Sequence, residues 1–116
     1  MKLRELVDEI IIDPRKLTNY ALDPDNPKGK DKAVMFDRHL GYTKDNYQPL
    51  LDQINDLVLD AEAIPQSQDQ FGTRYRVDLE IQGMETQQIE VVRTGWLIPP
   101  DSNQARLTTL YITKRS

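Results

Sequence analysis

The chain has 116 residues, a formal net charge of −4, and 38% hydrophobic against 29% charged residues, the proportions of a folded chain with one hydrophobic core. It has no cysteine and one histidine, which excludes disulfides, thiolate metal sites, thiol nucleophiles and multi-histidine zinc sites. No apolar run approaches a membrane span, and the opening MKLRELVDEI carries acids where a signal peptide is apolar, so a single cytoplasmic domain over residues 1–116 is expected.

The triplet Ile10-Ile11-Ile12 is a candidate strand. Asp13-Pro14 then starts a short helix over about 14–22, with Leu17, Tyr20 and Ala21 three or four apart, and Asp23-Pro24 stops it. The next seven residues, DPDNPKG, hold two prolines and a glycine and form a rigid surface loop. From Lys30 to Leu40, Ala33, Phe36 and Leu40 give a second helix one apolar face, and Gly41 can close it. A third helix is predicted from an N-cap at Thr43, with Asp45 in its first turn and Tyr47, Leu50, Leu51, Ile54, Leu57 and Val58 as its buried stripe.

Residues 64–70 are polar and aperiodic and read as a linker. From Phe71 the period changes to two: Phe71, Thr73, Tyr75, Val77, Leu79 and Ile81 face one way, and Arg74, Arg76, Asp78 and Glu80 the other. Turns at 82–85 and 99–103 separate this strand from a second over 86–98 and a third over 105–113. The expected fold is therefore α+β: three N-terminal helices within about 13–61, packed on a three- to four-stranded antiparallel meander within about 71–113. Trp96, the single tryptophan, should be buried against Leu50, Ile54 and Leu57 of the third helix, with a bulge at Gly95 as the one geometry that would turn it outward.

Four features could carry chemistry. DNPKGKDK at 25–32 sets a glycine among lysines ahead of a helix and could meet an anion, although it lacks the spacing of a phosphate loop and its commoner role is a solvated turn. His39, near the end of the second helix, could move a proton, but it has no fixed partner in the sequence. Asp78 and Glu80 share a strand face and could hold a metal, an arrangement more often simply solvated. The richest set is Arg74, Arg76 and Arg93 on neighbouring strands with Thr94, Arg106, Thr108, Thr109 and Tyr111. Over 91–116, four basic residues face one acid in an acidic protein. Arginines beside hydroxyls and an aromatic suit a phosphodiester or a carboxylate; the bland alternative is that Arg74 and Arg76 pair with Glu90 or other neighbours.

Read together, KLTNYALDPDNPKGKDKAVMFDRHLGY at 16–42, YRVDLEIQG at 75–83, VRTGWLI at 92–98 and RLTTLYI at 106–112 resemble an uncharacterised bacterial domain family, a domain of unknown function. The resemblance spans about residues 10–113 and implies a domain found alone and at the ends of larger secreted, polymorphic-toxin-like proteins. It brings no catalytic residues with it. Asn26 and Lys28 stand where the family pattern has a histidine and an apolar residue, which argues against a histidine-based role for that loop. Helices followed by an antiparallel meander are also similar to small metal-independent ribonuclease toxins of the barnase, EndoU and colicin type, an analogy of fold only.

These features lead to a small metal-independent nuclease-like or nucleic-acid-binding domain of a toxin system, with RNA as partner and no cofactor. Arg74, Arg93 and Tyr111 would line the phosphate site, and Lys32 or His39 would carry the proton. The alternative is a non-enzymatic immunity or adaptor module whose acidic surface binds a basic protein. A cleft with converging Arg, Tyr and Thr favours the first; a flat apolar patch favours the second.

Overall fold

The computed structural model describes residues 1–113, so the Lys114-Arg115 pair counted in the basic C-terminal segment lies outside the described residues. A five-stranded sheet runs in the order β1-β5-β4-β3-β2, where β1 is Glu9–Ile11, β2 Ile64–Asp69, β3 Gly72–Gln82, β4 Ile89–Ile98 and β5 Gln104–Ile112. The β2–β3, β3–β4 and β4–β5 pairs are antiparallel, and β1 pairs parallel with β5, opposite Gln104 to Arg106. Helix α1 spans Lys30–Leu40 and α2 spans Gln48–Leu57, both between β1 and β2 in the chain. Among the described residues no helix is long and apolar enough to cross a membrane.

Alternation along the strands sorts the two faces. Val77, Leu79 and Ile81 of β3, Val92 and Trp96 of β4, and Leu107, Leu110 and Ile112 of β5 are buried. They join Ala33, Phe36 and Leu40 of α1 and Leu50 and Ile54 of α2 among the buried residues, so the helices cover one face of the sheet. Gly41, at φ 74°, closes α1 in the left-handed conformation and sends its N–H to the Asp37 carbonyl. Tyr42 is then buried and donates to the Gln82 carbonyl at 2.6 Å, while Gln53 of α2 both donates to and accepts from the Gln82 backbone at 2.9 Å. Those bonds fix α2 against the end of β3.

The expected architecture needs correction in four places. The sheet is mixed and five-stranded, because Ile10 is drawn into a parallel strand beside β5 and strand structure therefore precedes the helices. The supposed linker is β2: both faces of an edge strand at 64–69 stay exposed, so its sequence has no reason to alternate. In place of a first α-helix there is a π turn at Leu17–Ala21, closed by the Leu22 N–H on the Leu17 carbonyl at 2.8 Å, which brings Leu17 and Leu22 to one buried side. Finally, Thr43 caps a separate turn, bonded through the Asp45 N–H at 3.2 Å, and α2 begins five residues later with Pro49 in its first turn. Two α-helices thus cover the sheet where three helices were expected.

Candidate functional site

The face opposite the helices carries the polar side chains of the central strands. Register sets Arg76 opposite Gly95, Asp78 opposite Arg93, Arg93 opposite Tyr111 and Gly95 opposite Thr109. After Gly95 the pairing slips, so that Trp96 lies opposite Leu107 and Thr108 is the extra residue of β5. This bulge falls where the sequence allowed for one, yet Trp96 stays in the core at 1% exposure because the added residue belongs to β5. Its effect is to bring two neighbouring hydroxyls to the open face. A Cβ at Gly95 would lie 3.0 Å from the Thr109 methyl and 3.1 Å from the Thr108 hydroxyl.

Arg93 donates to both carboxylate oxygens of Asp78, through Nε at 2.9 Å and a terminal nitrogen at 3.2 Å. Asp78 first, with Tyr111 adding to it, strengthens the hold of Arg93 on its proton. Arg74 reaches Asp69 of β2 at 3.3 Å. Arg76 is less well served. Its Nε is 4.0 Å from Asp78, and among the described residues it is the one buried side-chain nitrogen or oxygen without a hydrogen-bond partner. The three guanidinium groups line a hollow of about 250 Å³ together with Gln66, Thr108, Thr109 and Tyr111.

At the β5 side of this hollow stands Lys32, from the first turn of α1. Its ammonium donates to the Tyr20 hydroxyl and, at 3.0 Å, to Thr109 Oγ1. It also lies 4.5 Å from the centre of the Tyr20 ring and 5.4 Å from that of Tyr111. The hydrogen bond from Lys32 is the main reason that the Tyr20 phenol is more acidic than usual, and Thr109 adds to the effect. The approach depends on Gly29, where a Cβ would come 2.0 Å from the Tyr20 carbonyl oxygen; the missing side chain lets α1 start against the π turn.

Arg74, Arg93 and Tyr111 are therefore brought together, and Lys32 joins them through Thr109. His39 is not. It is half-buried on α1 seven residues beyond Lys32, ~10 Å further along the helix axis, and does not line this hollow. One contributor escaped the sequence reading of the site: Tyr20 read as an apolar helix residue, and only the contact at Gly29 reveals it. Arg76 stood in the arginine set but not among the residues expected to line the phosphate site.

The bland alternatives divide. Arg74 and Arg76 do pair with acidic neighbours, Asp69 and Asp78, the latter shared with Arg93, while Glu90 pairs in register with Ile81, on the helix side. Asp78 is bound to Arg93, and among the described residues no group of three or more His, Asp or Glu side chains could hold a metal. In the loop at 23–29, Asn26 Oδ1 accepts the N–H groups of Lys28 at 2.9 Å and Gly29 at 3.1 Å, so these two backbone donors are already used.

No curated protein and no solved structure matches the chain. A family model covers residues 2–114, nearly the whole length, and the chain belongs to that family, described as a domain of unknown function (DUF6883).

Proposed function

We propose that the open face of the sheet binds the phosphodiester backbone of nucleic acid, and that the protein is a small metal-independent nuclease-like domain of the kind used in bacterial toxin systems. The observation that carries this reading is the convergence of Arg74, Arg76 and Arg93 with Tyr111, Thr108 and Thr109 on one hollow. Guanidinium forks and hydroxyls match the oxygens of a phosphate. The net charge of −4 opposes general affinity for nucleic acid, so binding rests on this local cluster.

For RNA, the nucleophile is already present as the 2′-hydroxyl. The protein has to take its proton, stabilise the charge that develops on phosphorus and return a proton to the leaving 5′ oxygen. The arginines serve the second task. The Tyr20 oxygen, whose ionised form the Lys32 ammonium favours, takes the 2′-hydroxyl proton, the Lys32 ammonium gives one to the leaving 5′ oxygen, and the proton on Tyr20 then passes to Lys32 along their hydrogen bond; His39 is too distant for either part. The immunity or adaptor alternative calls for a flat apolar surface, whereas this face offers a cationic hollow.

Total RNA incubated with wild type, Arg93→Ala and Arg76→Ala tests the reading. Cleavage by the wild type that falls by about 10²-fold or more in either variant supports it. A wild type that shows no cleavage and no low-salt binding overturns it.

A further inference from the structure

The hollow with the arginines does not stand alone. A second one, lined by Asp13, Arg15, Lys16 and Tyr20, shares Thr108 with it. A third, lined by Asp31, Lys32, Met35 and Ile112, shares Tyr111 with it. The shared residues set the three hollows side by side, a grooved surface that crosses β3, β4 and β5 and reaches past the β5 edge to the π turn and α1. From β3 to β5 is two inter-strand steps, ~10 Å, and the flanking hollows lengthen it beyond what one phosphate can fill.

The lining is lopsided in charge. Six basic side chains face the groove with Asp13 and Asp31, and Asp69 and Asp78 pair with its arginines, so two positive charges remain in excess in a chain whose overall charge is −4. The basic groups are also spread along it: the three arginines on β3 and β4, and past the β5 edge Lys32 beside Tyr20, with Arg15 and Lys16 on the far side of that tyrosine's hollow. Arg15 is already bound to Asp13 at 2.7 Å, so Lys16 is the flank's main charge for a ligand. A run of positive charge along a groove is the pattern that follows a polyanion and not a single anion. Tyr20 and Tyr111 line the same groove, and Met35 adds apolar surface beside Tyr111. Aromatic and apolar walls between cationic positions offer rest to unstacked bases, which only a single strand exposes.

We propose that the groove is a binding site for single-stranded nucleic acid of roughly three or more nucleotides, with one phosphate on Arg74, Arg76 and Arg93, a neighbouring phosphate at Lys16, and a base against Tyr111 and Met35. This rests on the reading of the open face as a phosphate site and adds to it the length and strandedness of the ligand.

The test titrates fluorescently labelled RNA against the full chain: a mononucleotide, a trinucleotide, a hexanucleotide and a duplex of the hexanucleotide, each over a range of salt. The hexanucleotide should bind about tenfold or more tighter than the mononucleotide and tighter than the duplex. Lys16→Ala, a change at an exposed position, should reduce the salt slope for the trinucleotide by ~0.7, the loss of one phosphate contact, and leave mononucleotide affinity unchanged. Arg93→Ala should weaken every ligand. Affinity independent of length, equal affinity for the duplex, or no effect of Lys16→Ala on the slope overturns the groove while leaving the phosphate site in place. Failure of every ligand to bind, the mononucleotide included, removes both.

Discussion

β4 presents two environments within three residues, and the contrast lies in how completely each side meets its polar groups. On the covered side Thr94 is fully buried, yet both its needs are met: its hydroxyl donates to the Val77 carbonyl at 2.7 Å and accepts from the Trp96 indole at 2.7 Å. On the open side Arg93 and Arg76 compete for one carboxylate, and the Arg76 Nε is left over. A core cannot tolerate an unmet polar group without loss of stability, whereas a binding surface requires groups that a ligand completes.

The strongest way to break that contrast is at Trp96. Trp96→Ala should cost ~3–5 kcal/mol in chemical denaturation, since it empties a buried site of indole volume and deprives Thr94 of its donor. Arg93→Ala, three residues away, should change the same measurement by about 1 kcal/mol or less, because the pair it breaks is partly exposed. Comparable losses from the two substitutions would show that the open face also holds the fold together.

Gly95→Ala sharpens the comparison from within the bulge. The new methyl must displace Thr108 and Thr109 by a few tenths of an ångström, so the chain should fold with nearly unchanged stability while affinity for a short RNA oligonucleotide drops by roughly three- to tenfold. Wild-type affinity in this variant would show that the hydroxyls are not set for a ligand.

The subtlest test compares two of the five tyrosines by ultraviolet titration of wild type, Tyr20→Phe, Tyr42→Phe and Lys32→Met. Tyr20, made more acidic chiefly by the Lys32 hydrogen bond, should ionise before Tyr42, which burial pushes the other way against the opposing bond from Gln53. The two affect folding with opposite signs. Tyr20 favours the folded state only above its own lowered pKa, with the gain complete beyond the unfolded value of about 10, and the gain disappears as pH falls back through the lowered pKa. Tyr42 leaves stability intact below about 10 and subtracts from it as the pH rises through its raised value. Lys32→Met should return Tyr20 toward ordinary behaviour and leave Tyr42 unmoved.

The covered side was the legible one. Val77, Leu79 and Ile81 declare their face by alternation, and Ala33, Phe36 and Leu40 declare theirs by helical spacing, because burial imposes a period on the sequence. β2 has no buried face and imposes none, so backbone pairing alone makes it a strand. The parallel β1 pairing was equally hidden, since it joins residues at opposite ends of the chain through main-chain bonds. In the site, Arg74, Arg93 and Tyr111 came from strand order. Tyr20 depends on a glycine contact between two loops, for which no local pattern exists.

The pairing of β1 with β5 has a consequence for the order in which the molecule assembles and loosens. β3, β4 and β5 close on sequence neighbours, whereas Asp8 and Asn103, whose side chains bond at 2.9 Å beside β1, are 95 positions apart. Closing so long a loop is entropically dear until β5 exists to receive it, so β1 docks onto a meander already formed. By the same reasoning its three residues are among the first to open in native-state hydrogen exchange, while the central strands hold their amides until global unfolding. The segment that follows β1 carries Lys16 and Tyr20. One flank of the groove can therefore widen by a local fluctuation that leaves the three arginines where they are.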